Sequence, residues 1–205
     1  MSMNLLKETI RFLVAEAAVP VASAIQAGYA IYIQESGSTT RFVLYDPKYY
    51  KDLLENDIDA ATEDSNGIVA YFQLIGGPPD SCAGAAEVAV SSARKGFGPL
   101  MYDICMVYSS TPIMPDRSSV SSSAASVWKY YEKRSDVEKI QLDNNDCKLS
   151  DDPWLNFAYK PKFQVNYTPL IQSHKQFVSS LDPATAKTFE QHLPSMGISF
   201  FDGMM

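Results

Sequence analysis

The chain has 205 residues, 46% of them hydrophobic and 20% charged, with a formal net charge of -7. This fits one globular domain over 1–205 with a single buried core, and the acidic balance argues against a nucleic-acid or anionic-membrane partner, which clustered lysines and arginines would have to recognise. Cys82, Cys105 and Cys147 are odd in number and outside any Cys-x-x-Cys spacing, so neither a disulfide framework nor a zinc site is expected. No apolar run approaches the ~20 residues of a membrane span, and Asn4–Val21 lacks the continuous apolar core of a secretion signal. The expectation is a soluble protein of a reducing, cytoplasmic compartment.

Leu6, Ile10, Leu13, Val14 and Ala17 form one helical stripe, which predicts an N-terminal helix over about 1–19, stopped by Pro20. Within it, Phe12-Leu13-Val14-Ala15-Glu16-Ala17 resembles the start of internal head proteins of large tailed bacteriophages, which would imply a virion or host cytoplasm. Tyr29–Gln34 and Thr40–Tyr45 are β-rich runs around Glu35-Ser36-Gly37-Ser38-Thr39, a hairpin signal. Tyr49–Leu54 predicts a helical turn. Glu55–Asn66 carries five acidic residues with little apolar content; its glycine and closing glutamate are out of register for a calcium loop, so it reads as a solvated loop. Ile68–Leu74 is a strand, and Gly76-Gly77-Pro78-Pro79-Asp80 a turn leading to an antiparallel neighbour.

The central stretch runs from Ala85 to Tyr108. Glu87–Val90 predicts a strand, Gly96 and Gly98 a tight turn, and Leu100, Met101, Ile104, Cys105 and Tyr108 a helix. Glycines let the backbone amides converge, and a helix N-terminus adds its unpaired N–H groups and positive dipole end, so such a turn suits a phosphate or pyrophosphate. A dinucleotide fingerprint fails because Met101 stands at the third glycine position, and a Walker A loop fails because Pro99-Leu100 follows Gly98. Next, Pro112–Asp116 predicts a short strand, Ser118–Ser123 capping chemistry, and Val120, Ala124, Val127, Trp128 and Tyr131 a second helix.

Ala93-Arg94-Lys95-Gly96-Phe97-Gly98-Pro99-Leu100 resembles the pyrophosphate loop of the GNAT acyltransferases, with Ala93 in place of the family's leading Gln/Arg. Trp128-Lys129-Tyr130-Tyr131-Glu132-Lys133-Arg134 resembles that family's aromatic-Tyr-Glu-Lys segment, with Ser135-Asp136-Val137 in place of its Gly-Phe. The match covers about 68–137. It implies an α/β domain of the α+β type, with a mixed, largely antiparallel sheet and helices on both faces. It also implies acetyl-CoA as acyl donor, held along Val88 and Val90 and at Arg94, Lys95, Gly96, Phe97 and Gly98. An amine acceptor, small molecule or protein, attacks the thioester directly, with Glu87 as base and Tyr131 as acid, and Tyr130 as the alternate acid. Two other readings stay open: a noncatalytic GNAT-like structural or binding protein, and acyl or aminoacyl transfer to a modified nucleobase.

Val137–Leu142 predicts a strand, Asp143–Asp152 a polar turn, and the alternations Leu155/Phe157/Tyr159 and Phe163/Val165/Tyr167 half-buried strands. From Pro169, Leu170, His174, Phe177, Val178 and Leu181 trace a helix, and Asp182-Pro183 opens a short one ending near Pro194. This extension over about 169–205 leaves open whether it covers the sheet or mediates self-association. His174 and His192 have no partners at metal spacing, so no metal is expected. No nucleophile elbow is present.

Overall fold

The computed structural model describes residues 19–76, 82–117, 120–142, 147 and 149–204. The expected helix over 1–19 lies almost wholly outside them, with the phage-like segment and most of the Gly76–Asp80 turn. The described elements are α1 (Val21–Ala27), β1 (Ala30–Ser36), β2 (Thr39–Tyr45), α2 (Pro47–Asn56), α3 (Ile58–Glu63), β3 (Ile68–Ile75), β4 (Ala86–Ala93), α4 (Phe97–Tyr108), β5 (Ile113–Pro115), α5 (Ser122–Tyr131), β6 (Val137–Gln141), β7 (Phe157–Pro161), α6 (Thr168–Ser179) and α7 (Pro183–Met204).

The strands form one sheet in the order β1-β2-β3-β4-β5-β7-β6. Every neighbouring pair is antiparallel except β4 and β5, which are parallel. The fold is therefore α+β, with a mixed, largely antiparallel sheet and helices on both faces. β2 reads as a continuous apolar run, Phe42 to Tyr45, because it is covered on both sides. Phe42 and Leu44 join Leu100, Met101, Ile104 and Cys105 of α4 and Trp128 and Tyr131 of α5 in one core. Val43 and Tyr45 join Tyr50 of α2, Ala61 of α3 and Phe189, Leu193 and Met196 of α7 in the other.

α6 lies along the edge strand β1, giving Leu170 to the first core and Phe177 to the second. That cover blunts an edge that would otherwise invite foreign strands. A polar chain running from the core to the surface ties it down: the buried Tyr45 hydroxyl meets His174 Nδ1 at 2.8 Å and His174 Nε2 meets the partly exposed Glu190 Oε1 at 3.0 Å. Burial lowers the His174 pKa. The neutral tautomer with hydrogen on Nε2 satisfies both contacts, accepting from Tyr45 and donating to Glu190.

Four expectations are corrected. Residues 55–66 are not a loop throughout, because Asp57 caps Ala60 N–H at 3.0 Å and the following alanines favour a helix, α3, whose Ala61 is buried. The last helix does not end near Pro194 but runs to Met204. Burying Phe189, Leu193, Met196 and Phe200 is worth roughly 6–12 kcal/mol, against about 3 kcal/mol for an interior proline. Gly197 lets the Tyr71 ring approach where a Cβ would collide with it. The alternation at Phe163, Val165 and Tyr167 is not a strand: β7 ends at Pro161, and these side chains pack on the first core as irregular chain, Phe163 beneath the Arg134 guanidinium. Likewise Leu155 sits in a short 3-10 turn, Pro153–Asn156, before β7.

The cysteines depart from expectation too. Cys82 and Cys147 are bonded, with Cα atoms 5.4 Å apart, while Cys105 is free and buried. They are 65 residues apart, so no local spacing rule could pair them.

Candidate functional site

β4 and β5 part company halfway along β4. Their parallel ladder runs Ala86–Ile113, Glu87–Met114 and Val88–Pro115 and stops there. Two local causes act at the same level. Pro115 has no N–H to continue the ladder. On the other side of β4, Gln73 pairs with Val90 and Leu74 with Val88, which leaves Ala89 as a bulge. A bulge bends its strand and increases the local twist. Residues 89–93 of β4 therefore lie beyond the end of the β4–β5 ladder.

The bulge also resets which residues face which layer. Ala86 and Val88 belong to the core beneath α4, whereas Val90 packs with the core beneath α7. Ser91 turns back to α4, where the Tyr102 hydroxyl donates to its Oγ at 3.0 Å. Alternation then directs Ser92 to the α7 side.

Beside this stretch of β4 lies a cavity of about 390 Å3, lined by Ser91, Ser92 and Ala93 of β4, Phe72 of β3, Gly98 and Tyr102 of α4, Ser121, Ser123, Ala124 and Val127 around α5, and Phe201 of α7. Two helix N-termini thus meet at one cavity. α4 starts after Gly96, whose φ of 89° suits glycine, and no side chain caps it. Neither α4 nor α5 has an acidic residue in its first turn. Ser121 caps α5 by accepting from Ala124 N–H at 3.2 Å. In a chain of net charge -7, no lining residue is a carboxylate. The positive ends of two helix dipoles converge there, an arrangement suited to an anion.

Of the expected cofactor-binding residues, Gly98 lines this cavity, and Val88, Val90, Arg94, Lys95, Gly96 and Phe97 do not. Gly98 lines it, and a Cβ on Gly98 would meet nothing within 4 Å. Gly96 and Phe97 form the turn into α4, the Gly96 carbonyl accepting from Val19 N–H at 2.9 Å. Arg94 and Lys95 are exposed, and the Arg94 guanidinium donates to the Asn66 carbonyl. Val88 and Val90 flank the bulge.

Glu87 and Tyr131 do not line the cavity. Glu87 lies about 13 Å along β4 from Ser91 at ~3.3 Å per residue. It alternates with Ala86 and Val88, so it faces the side of the sheet opposite α4, where its ladder partner Met114 packs with Cys82, Ala85 and Ala158. Burial, then the charge of Asp116, raises its pKa. Tyr131 is fully buried one layer behind the cavity, with its hydroxyl on Asp103 and Pro99. Tyr102 does line the cavity, held edge-on between Phe72 and Trp128 with its hydroxyl on Ser91 Oγ, and burial raises its pKa above that of an ordinary phenol. The helical stripe of α4 could not single it out, because its importance comes from the bulge that turns Ser91 toward it.

Among the described residues no helix is long and apolar enough to cross a membrane, and no group of three or more His, Cys, Asp or Glu could hold a metal ion. Comparisons against protein families, curated proteins and solved structures found no match.

Proposed function

We propose that the chain is an acyl-CoA-dependent N-acyltransferase, moving an acetyl group from acetyl-CoA to a primary amine while both are bound. The observation that carries this reading is the convergence of the α4 and α5 N-termini on one carboxylate-free cavity beside β4. A pyrophosphate suits the helix ends. The pantetheine arm can then extend back along β4 beyond the end of the β4–β5 ladder at Val88. This brings the thioester toward the bulge at Ala89, next to Val88 and Glu87.

The chemistry needs little covalent machinery. The amine nitrogen attacks the thioester carbon, its proton passes to Glu87 through water, and a backbone N–H near the bulge polarises the carbonyl oxygen. As the carbon–sulfur bond breaks, sulfur keeps the electron pair and takes a proton from a hydroxyl. Tyr102 lines the cavity, whereas Tyr131 stands behind it, so Tyr102 joins Tyr131 as a candidate for that role.

A second reading is a binding protein without transfer, favoured by the engagement of the Tyr131 hydroxyl with Asp103. Calorimetric titration with acetyl-CoA, followed by an assay of free thiol release with primary amines, separates the two. Binding with amine-dependent thiol release supports transfer. Binding without release leaves the noncatalytic binding reading, and absence of binding removes acyl transfer and leaves a noncatalytic structural protein.

A further inference from the structure

The sheet face opposite α4 changes character one row beyond the second core. Tyr32, Val43 and Tyr71 are register partners across β1, β2 and β3, and all three belong to that core or pack against it. Phe42 and Leu44 face α4, so alternation puts Arg41 on the same face as Val43. The next row on this face, two residues along each strand, is therefore Gln34, Arg41 and Gln73, again in register. All three are half-buried.

The row gathers hydrogen-bond donors around one positive charge. Arg41 Nη1 donates to Gln34 Oε1 at 3.3 Å, and the Tyr71 hydroxyl donates to Gln73 Oε1 at 3.1 Å. Both amide oxygens are engaged, and the Gln73 amide nitrogen and the rest of the guanidinium are the donors that remain. Arg41 Nε is buried without a hydrogen-bond partner. Among the described residues Arg41 forms no ion pair, whereas Arg134, also half-buried, is held by Asp103 and Asp136. A guanidinium drawn out of water is costly unless an anion meets it. Asp and Glu outnumber Lys and Arg by 24 to 17 in this chain, yet none of them is paired with Arg41.

We propose that Arg41, flanked by Gln34 and Gln73, is a binding site for the carboxylate of a small molecule. One guanidinium neutralises one carboxylate, and its planar fork matches the two oxygens. The Gln73 amide adds a neutral donor beside it, a set that suits a monoanion better than a phosphate dianion. The Tyr71 ring in the adjoining row favours an acid with an aromatic body. Turning onto that ligand gives the guanidinium the acceptor that its Nε lacks. The site is independent of the acyl-transfer reading, and none of its three residues lines the β4 cavity.

Sodium benzoate is the probe, titrated into the isotope-labelled full chain and followed by NMR, beside sodium phosphate and sodium chloride at matched ionic strength. The Arg41 Nε–H resonance, identified by its loss in Arg41→Lys, should move saturably with benzoate and with neither inorganic salt. Arg41→Lys keeps the charge but loses the fork, so benzoate affinity, read on the Gln73 side-chain amide, should fall about tenfold. Gln73→Leu, read on the Arg41 resonance, should weaken it by about threefold. No saturable movement in the wild type overturns the site. An equal response to phosphate or chloride overturns it as well, since that is the screening of a charge and not recognition of a carboxylate. Undiminished benzoate affinity in an Arg41→Lys chain that melts like the wild type moves the anion elsewhere and has the same consequence. The first two outcomes are read on the wild type, so a variant that fails to fold leaves the test decisive.

Discussion

The Tyr131 hydroxyl lies 2.7 Å from Asp103 Oδ1 and 3.0 Å from the Pro99 carbonyl, so a buried side chain of α5 holds the first two turns of α4. Arg134 completes the arrangement, donating to Asp103 at 2.8 Å and lying over the Tyr131 ring at 5.0 Å. Burial, then the charge of Asp103, keeps the Tyr131 pKa well above that of a free phenol. The two helices that build the cavity are thus fixed to each other directly behind it.

Tyr131→Phe removes that bond and leaves Asp103 to Arg134 alone. We expect a loss of roughly 1–3 kcal/mol, seen as a lowered thermal midpoint, with thiol release reduced only as far as the site loosens. Tyr102→Phe should instead lower turnover by ~10²-fold with acetyl-CoA affinity intact. If Tyr131→Phe gives the large loss of turnover at unchanged stability and Tyr102→Phe does not, the proton comes from Tyr131.

Gly98→Val should weaken acetyl-CoA binding by about tenfold or more without unfolding the protein. The added side chain enters open space at the cavity wall, and the position has no left-handed backbone to strain. What it obstructs is the approach of an anion to the α4 amides. Calorimetry beside a thermal melt checks both halves, and wild-type affinity in a folded variant would remove this turn from the site.

Glu87 gives a pH dependence whose sign is fixed by its raised pKa. The folded protein favours the protonated carboxyl, so the stability Glu87 contributes is complete below the ordinary carboxylate range and is lost as pH rises through the raised value. Glu87→Gln is neutral throughout. It should match or exceed the wild type in denaturant stability at neutral pH, with the difference shrinking below about pH 4, the ordinary glutamate range. As the base, Glu87 must be ionised, so the acid limb of kcat/KM should lie above that ordinary range and disappear in Glu87→Gln with most of the activity.

The Cys82–Cys147 bond joins residues 65 apart in the chain. Loop-closure entropy of that length is worth about 4 kcal/mol. Reduction with dithiothreitol, or Cys147→Ser, should lower the guanidinium midpoint, and the reductant should leave Cys147→Ser unaffected. A wild-type midpoint insensitive to reductant would mean that the pair does not hold the fold.

Much of the architecture is written in local sequence, because strand alternation, glycine turns and caps act over a few residues. The hairpin at 29–45, the strand at 68–74, the turn at Gly96 and Gly98 with its helix, a serine cap within 118–123 and the strand after Asp136 could be read one by one, and the structure has them, with Ser121 as the cap. The order of strands, with β7 between β5 and β6, could not be read, since it depends on which edges meet in space.

The site divides in the same way. Gly98 was legible because a helix start after paired glycines is a local motif. The cavity itself is a tertiary product: it exists because Pro115 and the bulge at Ala89 fall side by side on different strands, and because Pro194 fails to end α7, carrying Phe201 to the gap. Tyr131 matched a local pattern that specifies a residue type near a helix end but not the carboxylate facing it. Asp103, on another helix, determined where that hydroxyl points, just as the bulge determined that Tyr102 would reach Ser91. Periodicity assigns a side chain to a face of its own element. Only the packing of that face against others determines whether the side chain meets a partner or an open space.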